Sequence, residues 1–197
     1  MQLTQAVETS TAPDFARPVI RVPERTGEQT SVAPETFREL FGGHPAGVSV
    51  ITTRDRSGAP IGMTVSAVMS LSLTPPQLVI ALDNAKYTLQ AIIDSGTFAV
   101  NFLAGDQAQV SDWFARSGDD RFLRADWSYS KNLGLPQVSG VRAVAECLLD
   151  SVITSGDHTL LIGHIVAADV ENTPALAYCA RTYGTVAEAN AAGSGRS

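Results

Sequence analysis

Residues 42–88 contain short apolar, strand-like runs that alternate with turns rich in hydroxyl-bearing residues and glycine, and the predicted ligand site lies in this stretch. Residues 48–50 read Val-Ser-Val, the period of two that is typical of a half-buried strand. Asp55-Arg56-Ser57-Gly58 favours a turn, so the pattern predicts a hairpin. Because side chains alternate across a strand, an unbroken second arm over residues 63–70 would have one face of mainly hydroxyl-bearing residues, comprising Thr64, Ser66, Val68 and Ser70. Such a face could be an ordinary solvated strand surface or the lining of a ligand site.

Helical spacing of apolar residues predicts three short helices. The first spans residues 35–41 and follows Pro34, and the second, which places Leu89, Ile92 and Ile93 on one face, ends at Ser95-Gly96. A third is predicted to be capped by Asp106 and ended by Gly118.

Further strands are predicted from short apolar or alternating runs. Residues 78–82 are continuously apolar, which predicts a strand covered on both faces. The remaining strands are expected at residues 98–102, 141–153, 159–170 and 176–186, with a tight turn around Gly156-Asp157. Residues 119–136 show no period and predict a long surface loop. Without regular βαβ alternation, the pattern favours a mostly β, antiparallel barrel with a few short helices.

Composition predicts one globular domain over residues 34–186, preceded by a flexible arm at 1–33 and followed by a disordered tail at 187–197. Hydrophobic residues make up 44% and charged residues 17% of the chain, which is ordinary for a globular protein. A net charge of -6 argues against binding to nucleic acid. No apolar run approaches the length of a membrane span, and no secretory signal is visible, so we expect no membrane association and a cytoplasmic location.

Metal and nucleotide motifs are absent from the sequence. Cys147 and Cys179 could form one disulfide, but both lie in apolar stretches, so buried free thiols are predicted. No CxxC or HExxH pattern supports a metal, and no GxGxxG or GxSxG motif supports a Rossmann domain or a hydrolase.

Two histidines lie in one predicted strand. His158 and His164 are six residues apart, or about 20 Å at 3.3 Å per residue, so they cannot share a metal. His164 is predicted to be a packed or interface residue. His158 is either a turn-closing residue or a functional one.

The order of these patterns resembles the flavin reductase family that serves two-component flavin monooxygenases. The resemblance spans residues 35–186 and is carried by H-P-A-G-V-S-V-I-T-T, G-M-T-V-S-A-V-M-S-L-S-L-T-P-P, L-V-I-A-L-D-N-A-K-Y-T-L and S-G-T-F-A-V-N-F-L. It continues through Asp120-Arg121-Phe122, Trp127, Gly156-Asp157-His158 and Tyr183. This resemblance implies a Greek-key flavin-binding split barrel that forms homodimers.

The resemblance also implies a set of flavin-contacting and nicotinamide-contacting residues. It places His158 beside the nicotinamide as the candidate catalytic residue, and Lys86 and Thr88 at the flavin phosphate, an anion that suits a lysine and hydroxyls. The other implied contacts are Pro45, Gly47, Val48, Gly62, Met63, Thr64, Val65, Ser66, Ser70, Ala81, Leu82, Asp83 and Tyr183.

The chain departs from the family pattern at several of these positions. Ala46 stands where threonine is frequent, Ser66-Ala67 replaces an Asn-Ser or Gln-Ser pair, and Lys86 replaces serine. Ala180-Arg181 replaces the Arg-Gly that commonly precedes the last aromatic residue. These differences bear on which flavin is preferred and on how the nicotinamide nucleotide is held.

The sequence therefore predicts an NAD(P)H:flavin oxidoreductase that reduces FAD or FMN with NADH or NADPH and supplies reduced flavin to a separate monooxygenase. Few residues are suited to acid-base chemistry, which is consistent with hydride transfer between two stacked rings. One alternative is a flavin-binding oxygenase or oxidase that acts on an organic substrate. Another is a flavin-binding protein without catalytic activity.

Overall fold

The structure is a computed structural model that describes residues 31–116, 118 and 120–186. The predicted tail and all but residues 31–33 of the predicted arm lie outside the described residues. Four helices occur in the described part: α1 Pro34–Gly42, α2 Tyr87–Ser95, α3 Ala108–Ala115 and α4 Arg121–Arg124. The strands are β1 Ala46–Gly47, β2 Ser49–Arg54, β3 Pro60–Val65, β4 Val68–Ser72, β5 Gln77–Asp83, β6 Thr97–Phe102, β7 Trp127–Tyr129, β8 Pro136–Val138, β9 Ala143–Ser155, β10 His158–Val170, β11 Ala175–Cys179 and β12 Thr182–Val186.

Seven strands form the main sheet in the order β3-β2-β6-β9-β10-β5-β4. All neighbours in this sheet are antiparallel, and strand pairing does not close it, because β3 and β4 lie at opposite edges. A smaller sheet has the order β1-β11-β12, and β7 pairs with β8. The predicted mostly β, antiparallel architecture with short flanking helices is confirmed.

The second arm of the first hairpin is two strands, not the one that was predicted. β3 pairs with β2, as expected, but the chain turns at Ser66 and Ala67, and β4 then pairs with β5. The Val68 amide donates to the Ser66 carbonyl, and the Ala81 amide donates to the Ala67 carbonyl, each at 3.0 Å. The predicted hydroxyl row is therefore divided between two edges of the main sheet.

The helices follow the apolar spacing, with differences at their ends. Gly96 ends α2 with a φ of 67° and donates its amide to Ile92 at 2.9 Å, as its predicted stop role requires. Ile93, which was expected on the inner face, is exposed. Asp106 does not cap α3, because the helix begins at Ala108.

Two segments contain more structure than predicted. Residues 119–136 include α4 and β7, which are too short to show a period, so the prediction of one long loop was wrong. The last predicted strand is the hairpin β11–β12, which turns at Ala180 and Arg181 with φ values of 49° and 62°. Neither residue is glycine, so the sequence carried no usual turn signal.

The main core lies between the large sheet and α2. Ile80, Ile92, Phe98 and Leu161 are fully buried there. β5 alternates buried and half-buried residues, so it is fully covered on one face only, in contrast to the prediction. Gly163 of β10 has no room for a side chain, because a Cβ would lie 2.5 Å from the Phe98 ring.

Both cysteines are free, as predicted. Cys147 is buried, and burial, together with the neighbouring Glu146 charge, raises the pKa of its thiol to about 12. Cys179 is only half-buried and donates to the Gly43 carbonyl at 3.3 Å, so the prediction of a buried thiol is wrong for this residue.

Candidate functional site

A cleft of about 760 Å³ opens between β3, the start of α2 and the segment that runs from α3 to β7. Its size is within the range usual for small-molecule sites. Five of the predicted contact residues line it, and they come from two separate elements: Gly62, Met63, Thr64, Lys86 and Thr88.

The β3 wall is fixed by contacts with α3. Thr64 donates its hydroxyl to the Ser111 carbonyl at 2.7 Å. A Cβ on Gly62 would lie 3.0 Å from the Phe114 ring and 3.2 Å from the Ile51 carbonyl. Glycine at this position therefore lets Phe114 pack directly against the β3 backbone.

The start of α2 gives the cleft a positive end. Lys86 precedes the helix in an extended conformation, and its side chain makes no capping hydrogen bond. The first amides of a helix have no partner within the helix and carry a partial positive charge. Lys86 is exposed, and its ammonium adds a full charge at this position. An anionic group is therefore suited to this end of the cleft.

Arg121 forms part of the opposite wall, and the sequence analysis assigned it no role. Its guanidinium donates to the carbonyls of Gly62, Arg116 at 2.8 Å and Gly118 at 3.0 Å. These bonds join β3 to the segment that follows α3. Arg116 also lines the cleft and is exposed, so this side of the cleft is cationic as well.

An aromatic series runs along this second wall. The ring of Phe122 meets that of Phe114 at 5.0 Å and that of Trp127 at 5.2 Å, both edge to face. Trp127 donates its indole N–H to the Phe122 carbonyl at 2.9 Å. The sequence analysis quoted Asp120-Arg121-Phe122 and Trp127 only as part of a resemblance. In the structure Arg121, Phe122 and Trp127 line a cleft suited to a flat aromatic ligand with an anionic group.

His158 is not part of the cleft lining and lies at the corner where β10 begins beside the end of β5. It is exposed, and its Nδ1 lies 2.7 Å from the Asp157 carboxylate, a hydrogen bond that lowers the pKa of Asp157. His158 is paired in register with Asp83 on β5. The Asp83 carbonyl accepts the Lys86 amide at 3.0 Å, so a short run of backbone links His158 to the positive end of the cleft.

Asn84 joins the two strands at this corner. Its amide donates to the Asp157 carbonyl at 3.0 Å, and its side chain donates to the Gly156 carbonyl at 3.3 Å. Thr159 donates to the Asn84 side-chain oxygen at 2.7 Å. The turn that carries His158 is therefore held against the loop that carries Lys86.

The other predicted contact residues are not part of the cleft lining. Val48, Val65 and Leu82 are only 1–7% exposed and belong to the core. Pro45, Gly47, Ser66 and Ser70 are exposed, and Ala81 is half-buried on β5 beside the turn at residues 66–67.

Tyr183 is half-buried behind the cleft. Its hydroxyl forms hydrogen bonds with the Ser111 hydroxyl and, as donor, with the Asp112 carboxylate, both at 2.9 Å, and burial raises its pKa. Because Ser111 also receives the Thr64 bond through its carbonyl, Tyr183 supports α3 and, through α3, the β3 wall.

Among residues 31–116, 118 and 120–186, no group of three or more His, Cys, Asp and Glu side chains is arranged to hold a metal ion. In the same residues, no helix is both long enough and apolar enough to cross a membrane.

Comparison with known proteins identifies relatives of this chain. Residues 41–187 match the family model described as "Flavin reductase like domain". A flavin reductase (NADH) of Kitasatospora aureofaciens is 40% identical over 134 residues, covering 68% of this chain and 70% of that protein. The reductase component of the flavin-dependent trigonelline monooxygenase of Acinetobacter baylyi is 34% identical over 154 residues, covering 78% of this chain and 49% of the relative. The chain thus spans about half the length of some of the curated relatives it matches.

Comparison with a solved structure extends the similarity from the sequence to the fold. The NADH:FAD oxidoreductase of Streptomyces globisporus C-1027, in complex with NAD and FAD fragments, superposes with a TM-score of 0.75 at 28% identity. The match covers 82% of this chain and 99% of the solved one. The predicted split-barrel fold is therefore confirmed.

Proposed function

Because this chain belongs to the flavin reductase-like domain family, we propose that it is an NAD(P)H-dependent flavin reductase with residues 34–186 as its catalytic domain. It binds oxidised FAD or FMN, transfers a hydride to it from NADH or NADPH, and supplies the reduced flavin to a separate monooxygenase. The observation that carries this proposal is the cleft, in which an aromatic wall lies beside a cationic end.

The cleft suits a flavin in one orientation. The phosphate lies at Lys86 and the first amides of α2, where the charges are positive. The isoalloxazine ring then extends along β3 towards Phe122 and Trp127, which supply apolar and aromatic surface. Thr64 keeps its wall in place through its bond to α3.

Hydride transfer to a flavin requires little acid-base catalysis from the side chains. A hydride carries two electrons to the flavin, and the proton that completes the dihydroflavin comes from solvent, so the protein mainly aligns two rings. Asp55 lines the cleft, but its carboxylate accepts the Ser57 amide, the Ser57 hydroxyl and the Ala59 amide at 2.6–2.9 Å. It is therefore committed to the β2–β3 turn and is not needed as an acid or base.

His158 is proposed to help place the nicotinamide. It is exposed, and the Asn84 hydrogen bonds hold its turn next to the loop that carries Lys86. A nicotinamide nucleotide that enters from this corner would meet the imidazole ring beside the loop that carries Lys86, on its way to the flavin ring. The role is one of positioning the nucleotide, since no proton from His158 enters the hydride step.

The test is NADH oxidation measured with and without added FMN or FAD, in the absence of any organic substrate. Rapid oxidation that requires added flavin is expected. An oxygenase on the same fold would consume NADH only when an organic substrate is supplied. An oxidase, whose organic substrate itself reduces the flavin, or a flavin-binding protein without catalysis would not consume NADH at all. Either outcome would reject the reductase.

A homodimer is part of the proposal. Met69, Leu71, Val152, Ile153 and Val166 lie on β4, β9 and β10 and are 43–59% exposed in the single chain. Exposed apolar side chains on the strands of a sheet favour an interface between copies. Sedimentation should show a dimer at micromolar concentration, and an active monomer would contradict it. A cytoplasmic location, where reduced nicotinamide nucleotides are available, completes the proposal.

A further inference from the structure

Glu146 is a buried carboxylate that the proposed reaction does not use. It lies on β9, is 2% exposed and is paired with Ala99 on β6. Its two oxygens accept four hydrogen bonds: from the Ser130 hydroxyl at 2.6 Å, the Leu133 amide at 2.9 Å, the Asn132 side chain at 3.1 Å and the Gln137 side chain at 3.2 Å. Buried polar groups are costly unless they are satisfied, so this arrangement specifies one geometry.

All four donors belong to the β7–β8 hairpin or its loop, at residues 130–137. Two more buried polar side chains of the main sheet contact the same hairpin. Thr52 donates to the Pro136 carbonyl, and the Asn101 side-chain oxygen accepts the Val138 amide at 2.9 Å. The hairpin is thus joined to the sheet by these polar bonds as well as by the apolar packing of Leu135 and Val138.

This hairpin carries Trp127, one of the three aromatic residues in the second wall of the cleft. β7 begins at Trp127, which lines the cleft and pairs in register with Val138 on β8. Glu146 itself is not part of the cleft lining. A change in how Glu146 holds the loop would reach the cleft as a displacement of the Trp127 ring.

We propose that Glu146 is a positioning residue for flavin binding, which acts through the β7–β8 hairpin by fixing the Trp127 ring in the cleft. This inference rests on the proposed function, since it assumes that the cleft binds flavin. It differs from a general stabilising role, because it predicts an effect on ligand affinity that disappears when Trp127 is replaced.

Glu146→Gln is the informative change because it keeps the size and shape of the side chain. The new amide group replaces one acceptor oxygen with a donor, which then faces either Ser130 and Leu133 or Asn132 and Gln137. In the first orientation the bond to the Leu133 amide is lost, and in the second the bonds to Asn132 and Gln137 are lost, so donors oppose donors in either case. Glu39→Gln is the matched control, because it removes the same charge from an exposed position on α1.

The first measurement does not depend on flavin. The chain has two tryptophans, so Trp113→Phe leaves Trp127 as the only reporter of indole fluorescence. In this background, Glu146→Gln is expected to shift the Trp127 emission and to increase its quenching by acrylamide. Glu39→Gln should leave both unchanged. Unchanged Trp127 fluorescence in a folded Glu146→Gln variant would overturn the inference.

The second measurement is a double-mutant cycle for FMN affinity, followed by the fluorescence of the flavin itself. Glu146→Gln is expected to weaken binding about tenfold, which corresponds to ~1.4 kcal/mol. Combined with Trp127→Phe, it should add little to the effect of Trp127→Phe alone, because contacting residues and those in one network are not additive. Additive losses would overturn the route through Trp127. If Glu146→Gln does not fold, Asn132→Ala removes a single donor from the loop and should show the same pattern at a smaller size.

The two proposals fail in different ways. If Trp127→Phe and Lys86→Glu both leave FMN affinity unchanged, the cleft is not the flavin site, and the proposed function loses its support. If Trp127→Phe weakens FMN binding but Glu146→Gln does not, flavin binding in the cleft stands and the positioning role of Glu146 is rejected.

Discussion

Reversing the charge at Lys86 tests the orientation of flavin in the cleft most directly. Lys86 is exposed, lines the cleft and lies immediately before α2, where the proposal places the flavin phosphate. Lys86→Glu should therefore weaken binding of FMN much more than binding of riboflavin, which has the same ring system without the phosphate. The expected change in FMN affinity is about thirtyfold.

The magnitude follows from the exposure of the side chain. Two unit charges 4 Å apart interact by ~1 kcal/mol in water and by ~4 kcal/mol at the effective dielectric of a protein surface. Replacing attraction with repulsion roughly doubles the difference in binding free energy between the parent protein and the variant, and screening by salt reduces that difference. A loss of about 2 kcal/mol is a conservative value, and it should shrink as the salt concentration rises.

Unfolding is not expected to complicate this test. A carboxylate near the first turn of a helix interacts favourably with the helix dipole, by ~0.3–1 kcal/mol. Lys86→Glu should therefore leave the thermal stability of the protein unchanged or slightly higher, while FMN affinity falls.

The assay is a fluorescence titration with FMN and with riboflavin at two salt concentrations. Arg38→Glu is the matched control, because Arg38 is an exposed basic residue on α1, outside the cleft lining, and its reversal changes the net charge equally. An equal loss of affinity for riboflavin and FMN, or an equal effect of the control, would show that Lys86 does not contact the phosphate.

Three further predictions concern other parts of the chain. His158→Ala should raise the KM for NADH roughly fivefold to tenfold while flavin affinity stays nearly intact, and single-turnover reduction that matches the parent protein would reject the nicotinamide role. Gly163→Ala should destabilise the fold by ~1–3 kcal/mol in urea unfolding, because its Cβ would lie 2.5 Å from the Phe98 ring, whereas Gly184→Ala, with no atom within 4 Å of the added Cβ, should be nearly neutral. The pKa of Cys147 is about 12 in the fold and 9.0 ordinarily, so this thiol should make unfolding easier as pH rises from about 9 to 12, and Cys147→Ala should remove that part of the pH dependence.

Turn residues and short apolar patterns predicted those parts of the fold that depend on contacts between residues close in the sequence. The β2–β3 hairpin follows from its turn residues, since Asp55 accepts three hydrogen bonds from Ser57 and Ala59 within the turn. The break at Ser66-Ala67 does not follow from such a signal. It depends on the pairing of β4 with β5, including the bond from the Ala81 amide to the Ala67 carbonyl. An alternating pattern reads the same whether it forms one strand or two.

The difference between local and long-range contacts also explains which cleft residues could be predicted from the sequence. Gly62, Thr64 and Lys86 lie in the stretch whose order resembles the family, and the structure places them in the cleft. Arg121 reaches the cleft by donating to the Gly62 carbonyl, a contact across 59 residues that no local pattern indicates. Trp127 depends in turn on a hairpin whose strands are only three residues each.

Hydrogen bonds, rather than apolar packing alone, determine the geometry of the second cleft wall. Arg121 fixes one part of it by donating to three backbone carbonyls, and Glu146 fixes the β7–β8 hairpin by accepting four bonds. Neither residue can be replaced by an apolar side chain of similar size without leaving carbonyls or amides unpaired, at a cost of ~1–3 kcal/mol for each buried group. The wall should therefore tolerate changes of volume at Phe122 better than changes of hydrogen-bonding capacity at Arg121 or Glu146. On this reasoning, flavin affinity depends on polar residues that need not contact the flavin at all.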